Sequence, residues 1–464
     1  MNDTSLRAAL LATSHHKAPP LRLPLAAGEL TIEAVLRRLP EKRVVLKGEF
    51  DGRPVIAKFF LDGRRAKVHA VREQDGLKQL HAAGVPAPQL VATTSAGDDI
   101  PVLLTAFLAD SASLLSRWPQ ADEPQKSAWL GELASALARL HAHGCRHDDL
   151  HFGNVLVTPG GLVMLDGDAV SPCQSEAAAL DNLALLLAQL PALDRPLAEP
   201  AWRAYAQQRG LSGLDFAPHL RAVSERRLRK ILNKMQRDCA AVRTRSRFGH
   251  WFASTRELGS HPEWDGFIAN PDQWFIEPRA QYLKRGNSAT VVRTRLVDRD
   301  VVIKRYNIKN PLHGLMLGLR PISRARNAWC FAWLLELLGL STPAPLAVLE
   351  TRFGFWKRKA YLVTDWTSAR DCREVLAEAA DAGLPARIGA AIRALADIGV
   401  SHGDLKASNV LVDTDGVPVF IDLDSMALHA KAETLQPAVR QDRRRFLANW
   451  REGEAPDGLA LSAD

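Results

Sequence analysis

HGDLKASN, residues His402–Asn409, is the stretch that decides how this chain of 464 residues is interpreted, because its pattern occurs twice. The earlier copy is HDDLHFGN at His147–Asn154, 255 residues before the second. Both copies continue into Val-Leu-Val, and a short apolar run then leads to Asp166 in the first copy and to Asp422 in the second. Two matches in the same order indicate an internal repeat of a whole structural unit.

The pattern His-x-Asp-Leu-x-x-x-Asn is typical of the catalytic loop of kinase-like phosphotransferases. Such enzymes supply mainly positioning and charge neutralisation: one Asp takes the proton of the acceptor hydroxyl, while an Asn and a second Asp hold Mg²⁺. The sequence therefore predicts one base and two metal ligands in each copy. These are Asp149 with Asn154 and Asp166 in the first copy, and Asp404 with Asn409 and Asp422 in the second. The histidines that open the two motifs are predicted to be structural.

A lysine precedes each loop on a predicted β-hairpin, Lys58 in the first copy and Lys304 in the second. Both are predicted to hold the phosphates of ATP, although a lone lysine on a strand is more often a solvated edge residue. Glu73 follows Lys58 on a predicted helix and is expected to pair with it. The corresponding stretch around Ala328 offers no acid.

The two copies also differ where a glycine-rich loop would cover the phosphates. In the first copy, Leu30–Arg38 is predicted to be helical and no such loop is recognisable. The second copy keeps the turn Gly286–Thr290, in which Gly286 and Ser288 are predicted to contact the nucleotide. Both copies retain a lysine and two metal ligands, so two Mg·ATP per chain are predicted, the first bound more weakly. The second copy is predicted to be the more active one.

Composition is that of an ordinary folded protein, with 47% hydrophobic and 24% charged residues. No apolar run reaches the roughly 20 residues that cross a bilayer, and Met1–Pro20 lacks a signal-peptide pattern, so we expect a cytoplasmic protein. The five scattered cysteines predict reduced thiols rather than disulfides or a zinc site. The formal charge of +8 favours anionic partners.

The repeat predicts an α+β protein of two tandem protein-kinase-like domains, each with a small β-rich N-lobe and a helical C-lobe. We place a divergent first domain at 25–225, a basic helical linker with a connector at 226–270, and the second domain at 271–452. The basic stretch Arg221–Arg247 is predicted to be a solvated helical face, with binding of phosphorylated lipid or nucleic acid as the alternative. Across the whole chain no nucleic-acid partner is expected.

The second copy resembles the lipopolysaccharide core kinases, the InaA-like group with the heptose and Kdo kinases of Gram-negative bacteria. The resemblance covers about 275–452, with a weaker copy over about 40–225. Besides the loop itself it rests on Ser323–Trp329, Thr342–Leu346, Ile421–Asp424 and Asp442–Trp450. Neither copy has an Ala-Pro-Glu segment after its second aspartate, which argues against a conventional protein kinase.

This resemblance implies a protein-kinase-like fold, ATP and Mg²⁺ as cofactors, and a sugar hydroxyl of a lipid-linked core oligosaccharide as the acceptor. It also implies work at the inner face of the inner membrane. Pro311–Arg326 sets several leucines beside Arg320, Arg324 and Arg326. The segment is predicted to dock on the anionic leaflet or, with equal weight, to pack its leucines inside the N-lobe.

Two other functions stay open at this point. One is an atypical protein or small-molecule kinase. The other is a nucleotide-binding pseudokinase that acts as a scaffold for core assembly. Retention of the base and both metal ligands in each copy argues against a pure scaffold, whereas the missing glycines and the missing acid near Ala328 argue for it. The sequence does not determine the oligomeric state.

Overall fold

The computed structural model describes residues 21–39, 42–97, 99–247, 249–307, 322–353, 356–378, 381–451 and 455–461. The chain forms two compact units. Unit 1 extends to Leu187 and includes Leu197–Leu220, while unit 2 takes Ala188–Pro196 and continues from Arg221. Each unit combines an antiparallel sheet with separate helices, so the predicted α+β class is confirmed.

Unit 1 opens with strands and one long helix: β1 (Leu21–Leu25), β2 (Gly28–Leu39), β3 (Arg43–Phe50), β4 (Arg53–Phe60), α1 (Ala66–Ala82), β5 (Leu90–Ala96) and β6 (Ile100–Ala106). Helices and short strands follow: β7 (Ala112–Ser113), α2 (Leu114–Arg117), α3 (Glu123–Ala142), β8 (Cys145–His147), β9 (Val155–Thr158), β10 (Gly161–Met164), β11 (Val170–Pro172), α4 (Glu176–Leu187) and α5 (Ala198–Arg209). The first six strands close into a barrel in the order β1-β2-β3-β4-β6-β5. Buried apolar side chains such as Leu30, Phe59 and Leu104 fill it.

Helix α6 (Ala217–Lys234) leads into the sheet-forming part of unit 2: β12 (Val242–Arg247), β13 (His250–Thr255), α7 (Glu263–Ala269), β14 (Gln281–Arg285), β15 (Ala289–Leu296), β16 (Arg299–Tyr306), α8 (Arg324–Leu337), β17 (Pro345–Phe353) and β18 (Trp356–Asp365). The rest is mainly helical: β19 (Arg370–Asp371), α9 (Cys372–Ala377), α10 (Leu384–Asp397), β20 (Val400–Ser401), β21 (Val410–Val412), β22 (Pro418–Phe420), β23 (Ala427–Leu428) and α11 (Ala432–Leu447). The large sheet has seven strands in the order β12-β13-β17-β18-β16-β15-β14. A second core packs Trp329, Ile388 and Phe446 among the helices.

The three central strands of the two sheets share one register around the predicted lysines. On one side, Lys58 lies opposite Val45 and Lys304 opposite Val291. On the other side, Lys58 lies opposite Leu103 and Lys304 opposite Leu362. Residues of β3 and β15 that lie at the same distance along the strand from the partner of the lysine therefore occupy equivalent positions in the two units.

The prediction of a helix at Leu30–Arg38 is wrong, because these residues belong to strand β2. Two irregularities in the pairing with β3, at Ile32/Ala34 and at Val35/Arg37, interrupt the alternation of apolar and polar residues. Alternation is the signal by which a strand is recognised in a sequence, and a bulge removes it. Which side chains of β2 are buried therefore follows from its pairing with β3 and cannot be predicted from the sequence pattern.

The basic stretch also differs from the helical face predicted for Arg221–Arg247. Helix α6 ends at Lys234, and Val242–Arg247 is strand β12. In that strand Arg243, Arg245 and Arg247 occupy alternate positions, as expected for one face of a strand rather than for a helix. The hairpin β12–β13 pairs with β17, so residues 226–270 contribute the end of α6, two strands and the short helix α7 to unit 2. Among the described residues no helix is long and apolar enough to cross a membrane.

Candidate active site

The two loop motifs form the same hydrogen-bonded turn. In unit 2, Asn409 Nδ2 donates to the backbone oxygen of Asp404 at 2.8 Å. In unit 1, Asn154 Nδ2 donates to the backbone oxygen of Asp149 at 3.0 Å. The backbone carbonyl of each asparagine also accepts the N–H of the residue before the downstream aspartate, at 3.0 Å in unit 2 and 2.8 Å in unit 1. In each unit, backbone and side-chain hydrogen bonds of the asparagine thus connect the predicted base to the strand that leads to the second predicted metal ligand.

The histidines that open the motifs hold this turn from behind. His402 Nε2 donates to the carbonyl of Ile421 at 3.1 Å, and His147 Nε2 donates to that of Leu165 at 2.9 Å. Both histidines are fully buried, and burial lowers the pKa of His402. A buried ring whose Nε2 donates to a backbone carbonyl holds the loop in place, so both histidines have structural roles.

Two helical residues anchor the loops, a role that no sequence motif indicated. Asp442 on α11 accepts hydrogen bonds from the N–H groups of His402 at 2.7 Å and Gly403 at 3.0 Å. Asn182 on α4 occupies the corresponding place in unit 1, where it accepts from His147 N–H at 3.2 Å and donates to its carbonyl at 2.8 Å. Both anchors are buried. Their distance along the sequence from the motif hides this role.

We expect Asp442→Ala to lower the free energy of unfolding by about 2 kcal/mol, because the buried N–H of His402 and the partly buried N–H of Gly403 lose their acceptor. Asp442→Asn is the matched control, since unit 1 performs the same task with the amide of Asn182, and it should cost about half as much. Urea unfolding of the three proteins measures both values. Equal stability of the alanine variant and the wild type would show that the loop does not depend on this anchor.

In unit 2 the predicted lysine contacts the carboxylates of two aspartates that lie two residues apart in the sequence. Lys304 Nζ contacts Asp422 directly and lies 2.9 Å from Asp424 Oδ2. Arg324, the first residue of α8, donates to both oxygens of Asp424 at 3.1 and 2.9 Å. The side chain of Asp424 is only 2% exposed. Burial opposes its ionisation, but the positive charges of Lys304 and Arg324 hold the pKa of Asp424 below its usual value.

The acid that the sequence does not offer near Ala328 therefore comes from the loop after the predicted metal ligand. In unit 1 the lysine has a different partner: Lys58 Nζ contacts Glu73, which lies buried on α1. The other oxygen of Glu73 accepts the N–H of Asp168 at 3.2 Å. The two units thus hold equivalent lysines by carboxylates from different elements.

Asp166 and Asp422 share an unusual backbone. Both adopt the left-handed conformation, with φ of 66° and 62°, at the start of a short 3-10 helix. Aspartate is one of the few residues other than glycine that tolerate it. In unit 1, Arg43 Nη1 lies 3.4 Å from Asp166 Oδ1. Burial opposes ionisation there as well, and the charges of Lys58 and Arg43 keep the pKa of Asp166 below its usual value.

A cavity of about 440 Å³ lies in unit 2 beside these groups. Four of the predicted site residues line it: Ser288, Lys304, Asn409 and Asp422. Gly286 and Asp404, although described, are not among its lining residues. Apolar side chains such as Val291 and Leu362 form much of the remaining wall. A mostly apolar cavity with a few convergent polar groups is the usual form of a small-molecule site.

The lining fits a nucleotide with a hard cation. Lys304 offers a charge suited to phosphate oxygens, and the oxygens of Asn409 and Asp422 are the ligand type that Mg²⁺ prefers. The apolar wall suits a planar base. The residues that would hold ATP and Mg²⁺ in unit 2 are therefore Lys304, Asn409 and Asp422, and Ser288 lines the same cavity.

The predicted bases have different surroundings. Asp404 lies between two cations, with Lys406 Nζ at 3.0 Å from Oδ2 and Arg445 Nη1 at 3.4 Å from Oδ1. Arg445 also donates to the carbonyl of Gly403 at 2.6 Å. In unit 1 the side chain of Asp149 is 65% exposed, and His151 Nε2 is 3.7 Å away. Lys406 stands only two residues after the predicted base, but its contact with that base was not predicted from the motif.

The predicted membrane segment Pro311–Arg326 falls largely on residues 308–321, which lie outside the described part of the chain. Two of its arginines are described. Arg324 is bound to Asp424, and Arg326 contacts Glu350, a buried residue on β17. Both guanidinium groups serve contacts inside unit 2, so they are poorly placed to act as surface charges. The docking and packing alternatives for the segment itself stay predictions.

Comparison with known protein families matches residues 59–172 and 282–440, together more than half of the chain, to the lipopolysaccharide kinase (Kdo/WaaP) family. One matched segment lies in each unit. The 3-deoxy-D-manno-octulosonic acid kinase of Photobacterium profundum is 37% identical over 90 residues. That match covers 18% of this chain and 37% of the relative, so the chain spans little more than a third of the length of this curated protein.

Proposed function

The chain belongs to the lipopolysaccharide kinase (Kdo/WaaP) family, and from this we propose that it transfers the γ-phosphate of ATP to a sugar hydroxyl of the lipopolysaccharide core. The observation that carries the proposal is the cavity of unit 2, where Lys304, Asn409 and Asp422 line one space. The name of the relative, a 3-deoxy-D-manno-octulosonic acid kinase, suggests that sugar acid as the first acceptor to test.

Each residue has a defined task in this reaction. Lys304 binds phosphate oxygens of ATP, and Asn409 and Asp422 would hold Mg²⁺, which supplies positive charge to the phosphates when bound. Asp404 accepts the proton of the acceptor hydroxyl while the oxygen of that hydroxyl forms the new bond to the γ-phosphorus. The bond between that phosphorus and the bridging oxygen breaks, and ADP leaves with the electron pair.

The same proposal covers the architecture and the place of action. We propose that each unit is a kinase-like domain, with the sheet as N-lobe and the later helices as C-lobe. The shared register around Lys58 and Lys304 and the repeated loop turn support this. Because the proposed acceptor is linked to lipid and ATP is available in the cytoplasm, the proposed reaction takes place at the inner leaflet, on the cytoplasmic side.

The test is phosphate transfer by the purified full chain. The protein is incubated with Mg²⁺, γ-labelled ATP and lipid A carrying 3-deoxy-D-manno-octulosonic acid, and the product is analysed by mass spectrometry. We expect one added phosphate on the sugar and none when EDTA is present. Parallel reactions with a heptose-extended core and with a protein substrate such as casein separate the acceptor classes. Labelling of casein alone would reject the sugar kinase in favour of an atypical protein kinase.

A further inference from the structure

The strand β3 of unit 1 and the strand β15 of unit 2 differ at one position beside the site. Counted from the lysine pairing, Arg43 lies opposite Phe60 and its counterpart Ala289 lies opposite Tyr306. Ala289 is 5% exposed and lines the 440 Å³ cavity of unit 2. One unit thus has a methyl group where the other has a guanidinium group.

That guanidinium group reaches the acidic residues of unit 1. Arg43 Nη1 lies 3.4 Å from Asp166 Oδ1 and 3.7 Å from Glu73 Oε2, and its side chain is only 15% exposed. Lys58 contacts the other oxygen of Glu73. Two cations and two carboxylates therefore form one compact, partly buried cluster.

Unit 2 contains the same number of charges in a different arrangement. Its arginine, Arg324, comes from the helix α8 rather than from the strand β15, and it binds Asp424 instead of Asp422. Asp424 in turn lies against Lys304. The second positive charge is thus placed away from the aspartate that corresponds to Asp166.

We propose that Arg43 determines which unit takes Mg·nucleotide: it occupies the cation position of unit 1, so that the chain binds one nucleotide, in unit 2. This inference rests on the proposed nucleotide site of unit 2. A guanidinium group stays charged at every physiological pH, and a divalent cation a few ångströms from it would be strongly repelled where water is largely excluded. The long side chain also occupies the space that Ala289 leaves open.

The test is a reciprocal exchange of these two residues in the full chain. Isothermal titration with Mg²⁺ and a non-hydrolysable ATP analogue should give one site for the wild type. Ala289→Arg should abolish that site, and Arg43→Ala should raise the number of sites to two. Arg43→Met keeps the length of the side chain without its charge. A second site in that variant assigns the effect to charge, and a second site only in Arg43→Ala assigns it to volume.

Several results would overturn the inference. They are two sites in the wild type, a wild-type site that survives Ala289→Arg, or no new site in either folded variant of Arg43. Loss of binding in unit 1 on removing Arg43 would show that this residue is a phosphate ligand instead. Circular dichroism and thermal unfolding establish that each variant is folded. If the wild type transfers phosphate to the core sugar but binds two nucleotides, this inference is rejected and the proposed function stands. If it binds one nucleotide but transfers phosphate to no core lipid, the proposed function is rejected and this inference stands.

Discussion

Asp404→Asn and Asp422→Asn are each expected to lower phosphate transfer to the core sugar by about 10³-fold. The first change removes the group proposed to take the proton, a contribution of about 10² to 10⁴ in rate. The second removes the charge of a proposed Mg²⁺ ligand. A bound metal ion stabilises the transition state by several kcal/mol, and about 1.4 kcal/mol corresponds to a tenfold change in rate. Initial rates at saturating acceptor measure both effects. A Mg²⁺ titration should show a weaker apparent affinity in Asp422→Asn and an unchanged one in Asp404→Asn.

The matched controls are the corresponding residues of unit 1. Asp149→Asn and Asp166→Asn alter the same motif in the same chain, and we expect them to leave transfer within about threefold of the wild type. Asp149 is 65% exposed, and Asp166 already lies against Arg43, so neither substitution should disturb unit 2. Loss of transfer in Asp149→Asn with normal rates in Asp404→Asn would assign catalysis to unit 1.

Asp424→Ala is expected to affect stability and nucleotide affinity together. Lys304 and Arg324 would lose their shared buried partner, and breaking a buried ion pair from one side costs about 3 kcal/mol. Lys304 would keep its contact with Asp422 alone, so that it would lie closer to that carboxylate, which competes with the phosphates for its ammonium group. We expect a KM for ATP at least about tenfold higher. Urea unfolding and initial rates at varied ATP concentration measure the two effects.

Asp424→Asn is the control for shape, because it keeps the size and the hydrogen-bonding oxygen. The double variant Asp424→Asn with Arg324→Met removes one charge of each sign, and it should be more stable than Asp424→Ala. A KM for ATP that is unchanged in Asp424→Ala, although the protein is less stable, would show that Asp424 only holds the fold and does not position Lys304.

Acid unfolding gives a signature of the same carboxylate. The pKa of Asp424 is depressed in the folded state, so its ion pairs contribute stability above the unfolded value of about 3.9. That contribution is lost as the pH falls through the folded pKa, because protonation of Asp424 then favours the unfolded chain. The free energy of unfolding should therefore fall less between pH 5 and pH 3 in Asp424→Asn than in the wild type.

The features predicted correctly from the sequence are those that depend on local geometry. The step of five residues from Asp404 to Asn409 sets a hydrogen bond within one turn. Short β-rich runs placed Lys58 and Lys304 on predicted hairpins, and both residues lie on paired strands. The family followed from the same motifs. Strand β2 was missed because bulges interrupt its alternation of apolar and polar residues. Strand β12 was missed because its arginines were read as part of one long basic stretch, and their spacing at every second residue, which is typical of a strand, was not considered.

The sequence by itself determined that two copies of one motif exist, which family they belong to, and which residue types stand at each loop. Only the tertiary structure decided which charges meet. Lys304 and Asp424 are 120 residues apart, Arg43 and Asp166 are 123 apart, and Asp442 lies 40 residues from the backbone it anchors. Contacts over such separations depend on strand register and on helix packing, which no local pattern encodes. At one register position of the sheet, unit 1 has the guanidinium group of Arg43 and unit 2 has the methyl group of Ala289, a difference that the two loop motifs by themselves do not reveal.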